Sequence, residues 1–215
     1  MEGMFIVLEG VDGAGTTTHS KRLVSSLKDA DVPVHLSQEP SGGPLGALLR
    51  QALSGRLVSS SLEEKGPPAW NTMALLFAAD RLDHLDVELL PNLRDGVTIV
   101  CDRYYHSSVA YQSATGGGPG AIGWIRDVNK FARRPDLTIV LDVPARVAAD
   151  RRRRRRGSED IYDDEKLQAQ LGDFYAQLEQ HFPDERVVHV DADGELEDVA
   201  AAIGVHVDTV VRERK

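Results

Sequence analysis

The chain has 215 residues, 41% hydrophobic and 27% charged, enough for one buried core beneath a polar surface. Its single cysteine, Cys101, excludes an intrachain disulfide, and no apolar run approaches the length that spans a bilayer. A net charge of −9 argues against general nucleic-acid affinity but allows a local positive pocket for phosphates. The N-terminal MEGMFIVLEG lacks a basic leader, so a single cytoplasmic domain over residues 1–215 is expected, with no nucleic-acid or membrane partner.

Along the chain, Phe5 to Leu8 is a short apolar run ending at Glu-Gly, which reads as a buried strand. Thr16 to Ala30 has helical spacing, with Leu23, Leu27 and Ala30 on one side. Val32 to Leu36 reads as a second strand, followed by a loop from Ser37 to Pro44. Ala69 to Leu90 reads as a long helix stopped at Pro91. Two β-branched runs, Val97 to Cys101 and Leu137 to Val143, read as central strands. Ala145 to Arg156 and Asp163 to His181 look helical, Arg186 to Val190 reads as a last strand and Leu196 to Val211 as a last helix. Alternating strands and helices imply an α/β fold with a parallel sheet covered on both faces. Ligands of such sheets bind at the carboxyl ends of the strands. Asp12, Glu39, Asp102 and Arg103 all follow predicted strands.

The segment EGVDGAGTTTHS, Glu9 to Ser20, nearly matches the phosphate-binding pattern G-x-x-x-x-G-K-[ST]. Gly10 and Gly15 keep the spacing and Thr17 fills the hydroxyl position, but Thr16 replaces the lysine. Backbone N–H groups from Gly13 to Thr18, at a helix N-terminus, suit an anion. Thr17 suits Mg²⁺ bridging two phosphates. A glycine-rich turn that merely joins strand to helix is the plainer reading. A second segment, VTIVCDRYYHSSVAYQ, places Asp102 and Arg103 at the end of a buried strand. There an aspartate can hold a metal-bound water and an arginine can fork onto a phosphate. Cys101 reads as an inert buried thiol, and Trp70 and Trp124 as packing residues.

Five segments in order, EGVDGAG at 9–15, EPSGG at 39–43, LLFAADR at 75–81, DRYYHSSVAYQ at 102–112 and RPDLTIVLDV at 134–143, make the chain resemble the thymidylate kinases. The resemblance spans nearly the whole chain. It implies a P-loop nucleoside monophosphate kinase fold with about five parallel strands, ATP and dTMP as substrates, Mg²⁺ as cofactor, and a homodimer. It implies that Gly10, Val11, Asp12, Gly13, Ala14, Gly15, Thr16, Thr17 and Thr18 bind ATP, and that Thr17 and Asp102 serve the metal. In the acceptor site, Asp12 would meet the sugar, Glu39 and Pro40 would shape the pocket, and Phe77 would stack on thymine. Arg81, Ser107, Ser108 and Gln112 would read or border the base, Tyr111 would lie against the sugar, and Arg103 would grip the phosphate. Read singly, Phe77 is a core residue and Arg81 a surface arginine; their order among the motifs favours the functional reading.

The run ADRRRRRRGSEDIYDDE carries six consecutive arginines, 151 to 156. Consecutive helical residues turn by about 100°, so the six cannot share one face. The plain reading is a solvated basic helix end. The resemblance implies a lid at about 150–163, hinged near Gly157, with Arg152, Arg154 and Arg156 placed to stabilise the transferring phosphoryl group. The chain departs from the family at three basic positions, with Thr16, Gln38 and Ile161 in their places. Lys21, about 7.5 Å further along the helix and turned away, is a poor substitute for the loop lysine. The lid arginines are better candidates. Thr16 itself retains a neutral hydroxyl donor at the catalytic position. Two alternatives stay open at this stage, a kinase for another deoxynucleotide and a weak or inactive nucleotide-binding relative.

Overall fold

The computed structural model describes residues 2–60, 65–154, 162 and 164–214. Its centre is β1 (Phe5–Glu9), buried along its whole length. The chain then turns into α1 (Thr16–Asp29), β2 (Val34–Gln38) and α2 (Pro44–Leu53), and a small antiparallel pair β3 (Ser59–Ser60) and β4 (Lys65–Gly66). Next come α3 (Trp70–His84), a π-helical turn (Leu85–Leu89) and α4 (Leu90–Arg94). After β5 (Thr98–Asp102) follow α5 (Tyr105–Gln112), a second π-helical turn (Ser113–Gly117) and α6 (Ala121–Val128). The chain closes with β6 (Leu137–Asp142), α7 (Ala145–Arg154), α8 (Glu165–Tyr175), α9 (Leu178–His181), β7 (Val187–Asp191) and α10 (Leu196–Glu213).

The five long strands form one parallel sheet in the order β2-β5-β1-β6-β7. The α/β expectation of about five parallel strands is thus met, because β1, β5 and β6 are near-continuous apolar runs that a parallel sheet buries on both faces. The helix α1 packs on β2, β5 and β1 and against α10, while α5 packs among α3, α6 and α8. No helix among the described residues is long and apolar enough to cross a membrane.

The structure corrects several boundaries. The second strand runs to Gln38, because Ser37 and Gln38 pair with Cys101 and Asp102 of β5. The helix expected to stop at Pro91 continues to Arg94. Pro91 lies inside the continuous helical stretch, directly after the π-helical turn, whose wider winding gives its ring room against the carbonyl behind it. The segment 163–181 is two helices rather than one, broken between Tyr175 and Leu178. The last strand starts at Val187 and ends at Asp191. The helices α2, α5 and α6 were not anticipated. Trp70 and Trp124 meet edge to face with ring centres 5.6 Å apart, which is a packing role.

The loop after β1 is held by glycine geometry. Gly13 has φ 93°, and a Cβ there would stand 2.4 Å from the Ala148 carbonyl oxygen of α7. Gly13→Ala is therefore expected to lower stability by about 1–3 kcal/mol, since both backbone conformation and close approach oppose a side chain. Denaturant unfolding reads this, and an unshifted midpoint contradicts the close packing of loop and helix.

Candidate functional site

The loop and the end of β5 meet through one hydrogen bond. Thr17, in the first turn of α1, donates its hydroxyl to Oδ2 of Asp102. The other carboxylate oxygen of Asp102, Oδ1, is buried with no hydrogen-bond partner among the described residues. An orphaned buried oxygen of this kind points to a missing ligand. With the Thr17 hydroxyl it forms a hard oxygen set, which suits Mg²⁺, an ion that keeps waters and takes few protein ligands. Among the described residues no cluster of three or more His, Cys, Asp or Glu forms an alternative metal cage. In the loop, no described hydrogen bond is made by the N–H groups of Gly13, Gly15, Thr16 or Thr17. Gly15 precedes the helix with φ 100°, the left-handed turn that starts α1.

Arg103 follows Asp102 with φ 70°, a left-handed conformation rare outside glycine and often found at functional sites. Its Nη1 donates to the Gly10 carbonyl oxygen at 2.9 Å and to Ser107 Oγ at 3.2 Å. Its Nη2 donates to Asp12 Oδ1 at 2.6 Å. Burial disfavours the charge, but Tyr111 and Asp12 nearby hold the guanidinium pKa well above its ordinary value. Glu9, at the end of β1, accepts from the backbone N–H of Tyr104 at 2.8 Å, from the Ser107 hydroxyl at 2.7 Å and from the Tyr175 hydroxyl at 2.9 Å. Its carboxylate thereby ties down the turn that carries Arg103.

A pocket of about 280 Å³ opens beside this pair. The ten residues expected at the acceptor all line it: Asp12, Glu39, Pro40, Phe77, Arg81, Arg103, Ser107, Ser108, Tyr111 and Gln112. Arg81 is no surface arginine. It is 1% exposed, and its Nε and Nη2 donate to Glu39 Oε2 at 2.9 and 2.6 Å. Nη2 also reaches Ser108 Oγ at 2.9 Å, and Nη1 donates to Asn129. Among the described residues, Nη1 has no other hydrogen-bond partner than Asn129. Gln112 is fully buried, donating from Nε2 to Tyr162 Oη at 3.1 Å, and its Oε1 has no hydrogen-bond partner among the described residues. That oxygen is a ready acceptor for a ring N–H.

A second, wider cleft of about 820 Å³ runs over the loop and is lined by Gly13, Gly15, Thr16, Thr17 and Thr18 together with Arg151, Arg152 and Arg154. Gly10, Val11 and Ala14 do not line it. Gly10 and Ala14 offer their carbonyls to Arg103 and Arg151, while Val11 packs in the core. Arg152 Nη1 donates to the Asp12 carbonyl oxygen at 2.7 Å. Arg151 Nη2 donates to the Ala192 carbonyl oxygen at 3.0 Å. Arg153 instead pairs with Asp150 on the surface. Arg156, Gly157 and Ile161 lie outside the described residues. Thr16 is buried in the loop's first helical turn, and Lys21 is exposed. The two clefts share Asp12, Thr17 and Arg103.

Sequence reasoning missed Tyr162, Asn129 and Glu9, and it counted Arg151 among the lid arginines without singling it out. In a uniform arginine run nothing singles out position 151. Glu9 could have been found, since a carboxylate closing an all-apolar strand is costly to bury without partners. Cys101 is buried, and its thiol pKa is pushed well up by burial, as expected of an inert thiol.

The chain matches the thymidylate kinase family model over residues 8–203. It is 39% identical over 204 residues to a probable thymidylate kinase of Pyrococcus horikoshii, covering 94% of this chain and 95% of that one. It is 37% identical over 204 residues to a thymidylate kinase of Alkalilimnicola ehrlichii, covering 94% and 90%. A probable thymidylate kinase of Pyrobaculum aerophilum shares 34% over 212 residues, 97% and 98% of the two chains. Together with a phosphate loop facing Asp102 and Arg103 across one cleft, these matches show that the chain belongs to the thymidylate kinase family, a family of P-loop nucleoside monophosphate kinases.

Proposed function

We infer that the protein transfers the γ-phosphoryl group of ATP to dTMP. The observation that carries this reading is the sharing of Asp12, Thr17 and Arg103 by the two clefts. A donor phosphate chain on the loop and an acceptor phosphate in the smaller pocket would meet at those three residues. The acceptor phosphate oxygen is already anionic near neutral pH. It attacks the γ-phosphorus roughly in line as the bond to the β–γ bridging oxygen breaks, and ADP leaves. No strong base is needed, so the protein's work is positioning and charge stabilisation. Arg103 grips the acceptor phosphate, Phe77 stacks on the base and the free Oε1 of Gln112 accepts its ring N–H. Thr17 and Asp102 would hold Mg²⁺, which neutralises charge on the donor phosphates.

The missing loop lysine is compensated from α7. Arg152 is anchored on the loop carbonyl of Asp12, and Arg154 lines the same cleft. Arg151 braces the loop from Ala14 to Ala192. Arg152→Ala is expected to lower kcat about a hundredfold, the scale of one lost charged donor in a phosphoryl-transfer site, with dTMP KM changed far less. If Ala at 151, 152 and 154 each leaves kcat intact, α7 supplies no charge to the reaction.

The homodimer belongs to the same reading. Leu75, Ala79 and Leu82 recur at helical spacing and are all exposed on α3. A chemistry on free nucleotides also fits the cytoplasm. A coupled assay with ATP and Mg²⁺ against dTMP, dUMP, dCMP and dGMP tests the function. Turnover of dTMP well above the other three is expected; preference for another acceptor, or nucleotide binding without turnover, overturns the reading.

A further inference from the structure

Beneath Arg103 lies a chain of charged groups that touches neither cleft. His106, in the first turn of α5, is completely buried. Its Nε2 lies 2.8 Å from Oε2 of Glu185, in the turn before β7. Its Nδ1 lies 3.6 Å from Oε1 of Glu9, within ion-pair reach but beyond a hydrogen bond. Glu185 is itself held by the Tyr105 hydroxyl at 2.8 Å. Glu9 in turn accepts from the N–H of Tyr104 and from the Ser107 hydroxyl, and Ser107 accepts from Arg103. Three elements far apart in sequence thus meet at one imidazole.

We propose that His106 is a positioning residue: bridging Glu185 and Glu9 as a cation, it keeps Glu9 ionised, and through Glu9 it fixes the turn that aims Arg103 at the acceptor phosphate. The charges are arranged this way. The buried Glu9 carboxylate and the half-buried Glu185 flank His106, while Arg103 is already paired with Asp12 and acts on Glu9 only at a distance. Without the imidazolium, a fully buried Glu9 loses its nearest cation, and burial pushes it toward taking up a proton. A protonated Glu9 would have to donate its proton as well as accept, and it could no longer take donors from Tyr104, Ser107 and Tyr175 together.

The other ionisable groups around this imidazole are few. Tyr105 belongs to its own helix, and Tyr175 of α8 reaches Glu9. Arg126 of α6 lies over the Phe182 ring, which stands edge-on to His106. Arg134 acts on Glu185 from the segment before β6. Burial alone would drive the imidazole to its neutral form, but the contact with Glu185 and the negative charges of Glu185 and Glu9 raise its pKa above the ordinary value. For Glu9, burial alone would raise the pKa; His106 and Arg103 hold it below the usual range. A raised histidine pKa means the cation is present at low and neutral pH and is lost as pH climbs through the raised value. The bridge therefore fails on the alkaline side.

This inference rests on reading Arg103 as the acceptor-phosphate grip. The test is the pH dependence of dTMP KM, with ATP saturating, for wild type, His106→Gln, Glu185→Gln and Arg103→Ala. Wild type is expected to show dTMP KM rising on the alkaline side of about 6.5, the ordinary histidine value. His106→Gln should raise KM about tenfold at neutral pH, the lower end of what lost outer partners cost a functional group, and should abolish that rise. Glu185→Gln should move the rise to lower pH, since it removes one of the two anions that raise the imidazole. A purely structural role for His106 would raise KM equally at every pH. If His106→Gln does not fold, Glu185→Gln and an NMR titration of the imidazole in the wild type decide. An unmoved alkaline rise in either variant, or an imidazole titrating at or below the ordinary value, overturns the proposal. If Arg103→Ala leaves dTMP KM unchanged, it is the reading of Arg103 that fails; if it raises KM while the His106→Gln profile keeps its alkaline rise, only the positioning role fails.

Discussion

Replacing Arg103 with alanine is expected to lower kcat/KM for dTMP about a thousandfold, the upper range for removing one preorganised charged donor. The guanidinium holds Gly10 and Ser107 with one nitrogen and Asp12 with the other. It therefore knits the loop, the strand end and α5 around the common border of the two clefts. Arg103→Lys should recover only part of the loss, because a point charge cannot make the two-sided fork. The backbone matters too: the residue sits at φ 70°, so the turn is built to aim this side chain whatever its length. Steady-state kinetics with dTMP varied reads the result. A loss smaller than tenfold for the alanine variant would remove Arg103 from the reacting site.

The second large effect is on stability. Glu39→Ala should cost about 3–5 kcal/mol, the usual result of stripping one partner from a buried ion pair. The Arg81 and Glu39 side chains are 1% and 3% exposed, and two guanidinium nitrogens bond one carboxylate oxygen. Among the described residues, alanine would leave the arginine charged with neutral hydrogen-bond partners alone, Ser108 and Asn129. It would also take an anion from His84, whose Nδ1 lies 3.6 Å from Glu39. For that imidazole burial lowers the pKa, but Glu39 and Glu88 win and raise it. Denaturant unfolding measures the cost, and Glu39→Gln should fall between wild type and alanine. A cost below about 1 kcal/mol would mean that the pair is open to water in solution.

What could be read from the chain beforehand was what is local. The phosphate loop, the strand ends and Asp102-Arg103 are short patterns whose geometry is set within a few residues. Phe77 and Arg81 were legible only through the order of the motifs, because helical spacing alone makes one a core residue and the other a surface residue. The rest depends on partners distant in sequence. Glu39 and Arg81 are 42 residues apart, Arg81 and Asn129 are 48, and His106 and Glu185 are 79. No periodicity in a single chain records such a pairing. The helix through Pro91 was misread for a different reason: a proline breaks a regular helix, but the π turn before it changes where the ring points. In the arginine run the chemistry was legible and the register was not, since identical neighbours differ only in which face of α7 they occupy.

The common border of the two clefts has a thermodynamic consequence. Asp12 gives its carboxylate to Arg103 on one side and its carbonyl to Arg152 on the other. A ligand that shifts either arginine shifts the loop residue held by both. With donor and acceptor in these clefts as proposed, their affinities are expected to be coupled: whatever factor the donor imposes on acceptor affinity, the acceptor must impose on the donor. With an unreactive ATP analogue, the dissociation constants of both half-filled complexes and of the full one would close a thermodynamic square. The free energy left over in that square would measure the coupling expected across Asp12.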